Sequence, residues 1–437
     1  MPFGGLLLEL TRALGDRNAA WVRELWRRHR RLLLIVGSMA MAVAAVGRLA
    51  YAAPYLVTDV ESWAAVDLKL RHAETRAWFQ GQPVYGGVDM PGDYPPGSYL
   101  LLWPLVGWLS LEAARWLWAA ATLAALGVTA WVAATTGTGR GRGARPPFLP
   151  AAFLALLPFS VSPTQVNVYY GQIGVLVVAA LVIGFASLHS EAPPGPARTV
   201  GASLLLLFSL VKPTLSAPFF WVLLFRLRWL RVASLVIASY VACTLWASAF
   251  QPGTAFGTVM DWFRYTEGRT GLIMAAGTSN LHRWLGLVGG ERWAFPASLA
   301  VLAAHGLWTY RYRAAHLWVL LGVAAIVARL WVHHRAHDDL LLLVPMIALH
   351  QIAASGTPPN TAGKCDRDGS DLVAGLLFAA FWALLHVPNW SFSYLHGFAP
   401  LGIEAAQTLL WLVALAFLMR RAHAGTYEAP STTAPRP

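Results

Sequence analysis

Charge is scarce in this chain. Asp, Glu, Lys and Arg make up 12% of it, against roughly 25% in an ordinary soluble domain, which excludes a water-exposed globular surface. Acid is scarcer still, with 21 Asp and Glu against 33 Lys and Arg in 437 residues. Only two cysteines are present, Cys243 in an apolar run and Cys365 in a loop; they make no disulfide framework and have no metal-ligand spacing. A glycine-rich phosphate loop is also missing, because GRGRGAR at 139–145 lacks the strand–helix context such a loop needs. Residues 1–31 hold no apolar core for a cleavable signal peptide. The first long apolar run, from Leu32, has no small-residue cleavage site and reads as a retained span. Alternating segments of about 10 residues, the mark of a membrane barrel, do not occur.

What is abundant is apolar. Hydrophobic residues make up 57% of the chain and the mean hydropathy is +0.51. Continuous runs such as LLLIVGSMAMAVAAVG at 32–47 approach the ~20 residues that cross a bilayer. The expected fold is an all-α polytopic membrane protein of about 12 transmembrane helices with extracytoplasmic juxtamembrane helices. The net charge of +12 does not point to nucleic acid, because Lys and Arg cluster in short loops between apolar runs, as cytoplasmic loops do. Residues 1–31, ending in RELWRRHRR, read as a cytoplasmic amphipathic segment on anionic lipid, 32–420 as the membrane domain, and 421–437 as a disordered cytoplasmic tail.

Loop charges then order the crossings. Span 1 at 32–53 leads outward to an acidic loop at 54–96 that gathers Asp59, Glu61, Asp67, Glu74, Asp89 and Asp93. Within it the spacing of Val60, Trp63, Val66, Leu70, Ala73 and Ala77 predicts a helix lying on the membrane. Residues 98–110 are too short to cross, span 3 at 148–162 leads out to SPTQVNVYYGQ, and 200–225 form two halves broken at Lys212-Pro213. With both termini inside, the acidic loop, NVYYGQ, Lys212, GTSNLHRW at 277–284, HHRAHDD at 333–339 and NWSFSYLH at 389–396 all fall on the outer face.

Each patch has a plain reading beside its chemical one. Thr58 or Asp59 suits an ordinary helix N-cap, but a carboxylate held at the lipid–water boundary also suits a general base. Glu61 and Asp67 are weaker candidates, and Asp67 reads equally well as a solvated charge. The prolines of DYPP make a rigid elbow, which leaves Asp93 and Tyr94 available to a substrate. Asn167 to Gln172 would cap the N-terminus of span 4, where amide donors suit a phosphate or sugar. Lys212 in an apolar stretch is costly and faces a cavity or partner; a lipid phosphate is the natural anion. His333, His334, Arg335, His337, Asp338 and Asp339 suit phosphate binding and acid–base chemistry. Their spacing matches no closed zinc pattern, so divalent-metal dependence is unsupported, and no cofactor is expected.

In chain order, an Asp after span 1, YPP at 94–96, YGQI at 170–173, KPTLSA at 212–217, TSN with a following Trp, and a His/Asp patch running into LLLLVP at 340–345 are similar to motifs of glycosyltransferase family 87. These are polyprenol-phosphate-mannose-dependent mannosyltransferases of the C-type fold, among them actinobacterial enzymes acting on phosphatidylinositol mannosides. The resemblance covers roughly residues 32–420. It implies that Asp59 is the general base and that Tyr94, Tyr170, Gly171, Gln172 and Lys212 match family elements. Thr278, Ser279 and Asn280 match a polar loop of the family. Two departures stand out: Gly174 replaces the Asn-Val or Asn-Leu that usually follows YGQ, and Asp338, beside His337, falls where the family often has His.

The resulting expectation is an inverting sugar transfer at the outer face of the plasma membrane, without a nucleotide. A lipid-linked donor, most simply polyprenyl-phosphate mannose, would place its phosphate near Lys212 and Arg335. Asp59 would deprotonate a hydroxyl of a glycolipid or polysaccharide acceptor. Asp93, Tyr94, Tyr170, Gln172, Asn280, His337 and Asp338 complete the expected substrate site. A transporter or flippase of a lipid-linked substrate would also need broken helices and intramembrane charge. Against it stand the lack of an internal repeat and the gathering of polar groups on one face. A catalytically dead membrane subunit and arabinofuranose as the sugar remain open at this level.

Overall fold

The computed structural model describes residues 15–58, 61–85, 92–137, 147–189, 193–268, 279–354, 370–387 and 399–425. All regular structure among them is helical. α1 (Gly15–Val57) runs unbroken through the expected boundary at 31/32, so the basic N-terminal stretch and span 1 share one helix. α2 (Val66–Phe79) and α3 (Pro96–Leu102), which continues into a π-helical turn at Trp103–Gly107, are short helices that follow α1. α4 (Leu111–Gly137), α5 (Phe148–Ser160), α6 (Ser162–Tyr170), α7 (Gly174–Leu188), α8 (Pro196–Ser209), α9 (Pro213–Phe225) and α10 (Leu230–Ser248) follow. The remainder comprises α11 (Ala255–Gly268), α12 (Leu281–Leu287), α13 (Ala294–Arg311), α14 (Leu317–Leu330), α15 (Leu343–Ala354), α16 (Ser370–His386) and α17 (Ala399–Gly425).

Among the described residues, four helices are long and apolar enough to cross a membrane: Arg28–Val57, Leu111–Thr136, Leu227–Ser248 and Leu401–His423. The bent pair α5–α6 brings the number to five. The expected dozen is not reached among the described residues, because many apolar helices stop short of a full crossing; α7, α8, α9 and α14 are 13 to 15 residues long. Their neighbours divide the work. α7 and α14 are buried almost all round, as fits helices at the centre of a bundle. Leu32, Val36, Met39, Val43 and Val46 on α1 and Ile237, Val241 and Leu245 on α10 are exposed large apolar side chains, the surface a lipid-facing helix presents. The chain is a multi-pass membrane protein.

The breaks follow the prolines. Pro213 occupies the first helical turn of α9 with Lys212 before it in a non-helical conformation, as the sequence predicts. Pro163 likewise restarts the chain as α6, 42° off α5. SPTQVNVYY is therefore helix, where a loop is expected from the sequence. α6 ends in a Schellman motif: Gly171 has φ 66°, its N–H bonds Val168 O (3.2 Å), and Gln172 N–H bonds Asn167 O (2.8 Å). Asn167 and Tyr170 thus belong to the end of α6 rather than the start of the next helix. Capping by Thr58 also fails. Thr58 follows the end of α1, where its hydroxyl donates to Pro54 O, and α2 begins after Ala65.

Candidate functional site

α2 forms within the stretch where a helix is expected, but it is turned differently. Of the expected face Ala77 is buried, but Trp63 and Ala73 are exposed and Val66 and Leu70 only half-buried; the buried face carries Leu68, Arg71, Glu74, Thr75 and Trp78 beside Ala77. Trp78 explains the turn, because it stacks on Tyr99 (4.5 Å) and donates to Ala247 O (2.8 Å), docking α2 on α3 and α10. The face that goes in is thus one a hydrophobic pattern reads as out. Ala65 holds φ 50°, uncommon for a residue with a Cβ, and its N–H bonds Tyr169 O (3.0 Å), which pins the start of α2 to the end of α6.

This docking puts an ion network under the DYPP elbow. Arg71 forms an ion pair with Glu74 (2.7 Å), reaches Asp93 (3.9 Å) and lies over the Tyr94 ring (4.4 Å). Glu74 also accepts the Gly92 N–H (3.1 Å). Pro95 is extended and Pro96 opens α3, so the elbow is as rigid as its sequence promised. Burial raises the Tyr94 hydroxyl, keeping it a proton donor, and burial raises the Glu74 carboxyl against the pull of Arg71.

Asp67, one helical turn before Arg71, accepts a short hydrogen bond from Gln172. Burial raises its carboxyl, while Arg71, Lys212 and Arg335 draw it down and Asp93 adds to the rise. It is a carboxylate at the centre of the charged groups, and the reading of it as a solvated charge is corrected by this partner and this setting.

Across the cluster, Lys212 Nζ meets Asp338 Oδ1 at 2.6 Å. Asp338 is 4% exposed; burial would raise its carboxyl, but Lys212, His337 and His334 hold it well below the usual range. His334 lies with Nδ1 at 2.9 Å from Asp338 Oδ2, and His337 Nε2 is 3.6 Å from the same oxygen. Burial lowers both imidazoles, His337 to about 3. A neutral His334 facing an ionised carboxylate donates from Nδ1. Its Nε2 is then a buried acceptor without a partner among the described residues.

Asn167 ties this loop to α6, donating to Pro163 O and to His337 O, both at 2.7 Å. Its Oδ1 is buried without a partner among the described residues. Gly174 is required here: a Cβ would stand 2.8 Å from Asn167 Oδ1 and 3.8 Å from Asp338 Oδ1. The departure from the family pattern thus leaves room beside the ion pair. Below the loop, Asp339 pairs with buried Arg329, which lies over Trp411 (4.7 Å) and anchors the loop to α14 and α17. Asn280 N-caps α12 through Arg283 N–H (3.1 Å) and reaches His334 O (3.4 Å). Among the described residues no three His, Cys, Asp or Glu side chains gather as metal ligands would.

Of the expected residues, Asp93 and Tyr94 gather on Arg71, while Gln172, Lys212, Asn280, His337 and Asp338 are linked by contacts with Asp67, Asn167 and His334; the charges of Asp67 and Arg71 join the two groups. Arg335 is exposed and within the field of Asp67 and His337. Tyr170 stands apart, edge-on to Tyr169 (4.9 Å), on the α1 side of the cluster. Asp59, Asp89, Thr278 and NWSFSYLH lie outside the described residues. Arg71 was missed in the sequence although it left a signal: Asp67, Arg71 and Glu74 recur at helical spacing, a charged stripe that no lipid-facing surface would carry.

A model of the family described as glycosyltransferase family 87 matches residues 93–354, which include the DYPP elbow, Lys212 and the His/Asp loop. The chain is 25% identical over 206 residues to a polyprenol-phosphate-mannose-dependent alpha-(1-2)-phosphatidylinositol mannoside mannosyltransferase of Mycolicibacterium smegmatis. That match covers 43% of this chain and 44% of the relative, so it spans less than half of either. No solved structure matches.

Proposed function

The chain belongs to glycosyltransferase family 87, and from that membership we propose that it moves mannose from a polyprenyl-phosphate donor to an envelope glycolipid or glycan at the outer face of the plasma membrane. The donor class and the sugar follow the name of the mycobacterial relative. The observation that carries the reading is the Lys212–Asp338 pair, set at a helix break and surrounded by polar groups from α2, α6 and the 333–339 loop.

Each group has a task. Lys212 spends one N–H on Asp338 and keeps two for the donor phosphate. Arg335, exposed and without an ion-pair partner among the described residues, supplies a second cation to the same phosphate. As the anomeric C–O bond breaks, its electron pair leaves on that phosphate, and the two cations stabilise the charge where it develops. The acceptor oxygen attacks the anomeric carbon from the opposite side and gives its proton to a carboxylate, inverting the centre. Asp59 is the first candidate for that base, and Asp67, with its raised carboxyl, is the second. Asp93, Tyr94, Gln172 and His337 offer hydrogen bonds to sugar hydroxyls; Asn280, expected among them, is fully buried with its amide spent on Arg283 N–H and His334 O and holds the loop instead. No residue binds a nucleotide in this scheme, and no cofactor takes part.

The test uses purified protein in lipid nanodiscs with radiolabelled polyprenyl-phosphate mannose and a pool of envelope glycolipids. Wild-type protein is expected to transfer label. Asp59→Asn abolishes transfer if Asp59 is the base, and loss in Asp67→Asn alone assigns the base to Asp67. Label translocated across the membrane without transfer would replace this reading with that of a flippase.

A further inference from the structure

Four tyrosines outside the ion cluster form a continuous surface at the end of α1. Tyr51 and Tyr55, one turn apart on α1, have ring centroids 5.3 Å apart. Tyr169 from α6 stacks near-parallel to Tyr51 (6.3 Å, 11°) and closes on Tyr55 at 4.7 Å, and Tyr170 meets Tyr169 edge-on. The Tyr169 hydroxyl donates to Glu61 Oε2 at 3.0 Å. Tyr51 is 53% exposed and Glu61 is exposed. An aromatic belt accounts for tyrosines at a membrane boundary. It does not account for rings from two helices assembled into one surface with a carboxylate bound to its edge.

Ring faces beside a carboxylate are what a hexopyranose needs, since its C–H face packs on an aromatic ring while its hydroxyls donate to the carboxylate. We infer that Tyr51, Tyr55, Tyr169, Tyr170 and Glu61 form a subsite for the headgroup sugar of a lipid-borne acceptor. The inference rests on the transfer reading above. Two features of the fold commit it to a lipid-borne sugar. The platform sits on the last turns of a candidate span whose outer face carries exposed Val43 and Val46, where an acyl chain lies naturally. It is also continuous with the ion cluster: Tyr169 O accepts the Ala65 N–H, and the Schellman turn after Tyr170 delivers Gln172 to Asp67. A sugar on the tyrosines is therefore linked through the end of α6 to Asp67, one of the two carboxylates proposed to activate it.

The test measures binding of octyl α-D-mannopyranoside to the full chain in nanodiscs, with empty nanodiscs as the blank and methyl α-D-mannopyranoside as the tailless arm. A short-chain prenyl-phosphate mannose reports the donor side. Glu61→Gln and Tyr169→Phe, which keep shape and ring, are each expected to weaken octyl mannoside binding by about tenfold, the equivalent of one charge-assisted hydrogen bond. Donor affinity stays unchanged. Trp131→Ala, an exposed aromatic on α4, is expected to change neither. Wild-type affinity in both platform variants overturns the inference, as does a methyl mannoside that binds as tightly as the octyl one. A wild type that holds octyl mannoside yet neither binds nor transfers the donor sugar overturns the transfer reading and, with it, the acceptor role.

Discussion

Removing one partner of the Lys212–Asp338 pair should cost more than removing both. The two charges are 2.6 Å apart with side chains 13% and 3% exposed. At an effective dielectric of about 20, unit charges roughly 3 Å apart attract by about 5 kcal/mol, and desolvation of the two groups offsets much of that. Lys212→Met leaves the Asp338 carboxylate buried with only neutral His334 and His337 beside it, a loss expected at about 3–5 kcal/mol. Asp338→Leu strands the Lys212 ammonium at similar cost. Lys212→Met/Asp338→Leu removes both charges and leaves chiefly the His334 Nδ1–H unpartnered, about 1–2 kcal/mol. Denaturant unfolding in detergent, followed by tryptophan fluorescence, measures all four corners of the cycle. The expected coupling is at least ~2 kcal/mol, above the ~0.5 kcal/mol scatter of independent sites. Additive losses would refute the claim that the pair is a buried, mutually dependent unit. All three variants are expected to lose transfer, so activity alone could not decide the point.

Two further expectations concern the frame of the site. Burial holds His333 and His282 to about 4 and His337 to about 3. The unfolded chain therefore binds more protons than the native one below the ordinary imidazole range. Stability should fall as pH drops from about 6.5 toward 4, by up to ~1.4 kcal/mol per pH unit for each such histidine. The raised carboxyls of Asp67 and Glu74 act in the opposite direction, adding stability at low pH that is lost as pH rises through their native values; a thermal-unfolding series across pH 4–8 whose midpoint does not fall on acidification would contradict the net assignment. Gly171→Ala meets both a φ of 66° and Leu68 Cβ at 2.7 Å. A loss of about 1–2 kcal/mol from the backbone alone is expected, together with weaker donor binding as Gln172 is displaced from Asp67, both read on the same purified variant.

Proline and charge in an apolar run were legible because each acts locally. Pro213 breaks the helix whatever packs against it, and Lys212 in lipid is costly whatever its partner, so both the break and the need for a partner could be read directly. The same holds for the DYPP elbow, whose two prolines fix the chain by themselves. The orientation of α2 was not legible. Hydrophobic spacing pointed to Trp63, Val66 and Leu70, whereas docking of Trp78 on Tyr99 and Ala247 turned Arg71 and Glu74 inward. A period reports which residues share a face, not which surface that face will meet.

Composition and local pattern were enough to place the chain in a membrane, to break its short helices at prolines, and to mark Lys212 and the His/Asp loop as costly enough to have a purpose. Burial cost belongs to the residue and its immediate run, so one strand of text contains it. Helix packing was needed to bring Lys212 to Asp338 across 126 positions, to pair Asp67 with Gln172, and to assemble tyrosines of α1 and α6 into one surface. Those pairings depend on how separate helices are turned against one another, and hydrogen bonds and ring contacts between distant segments leave no period in the chain.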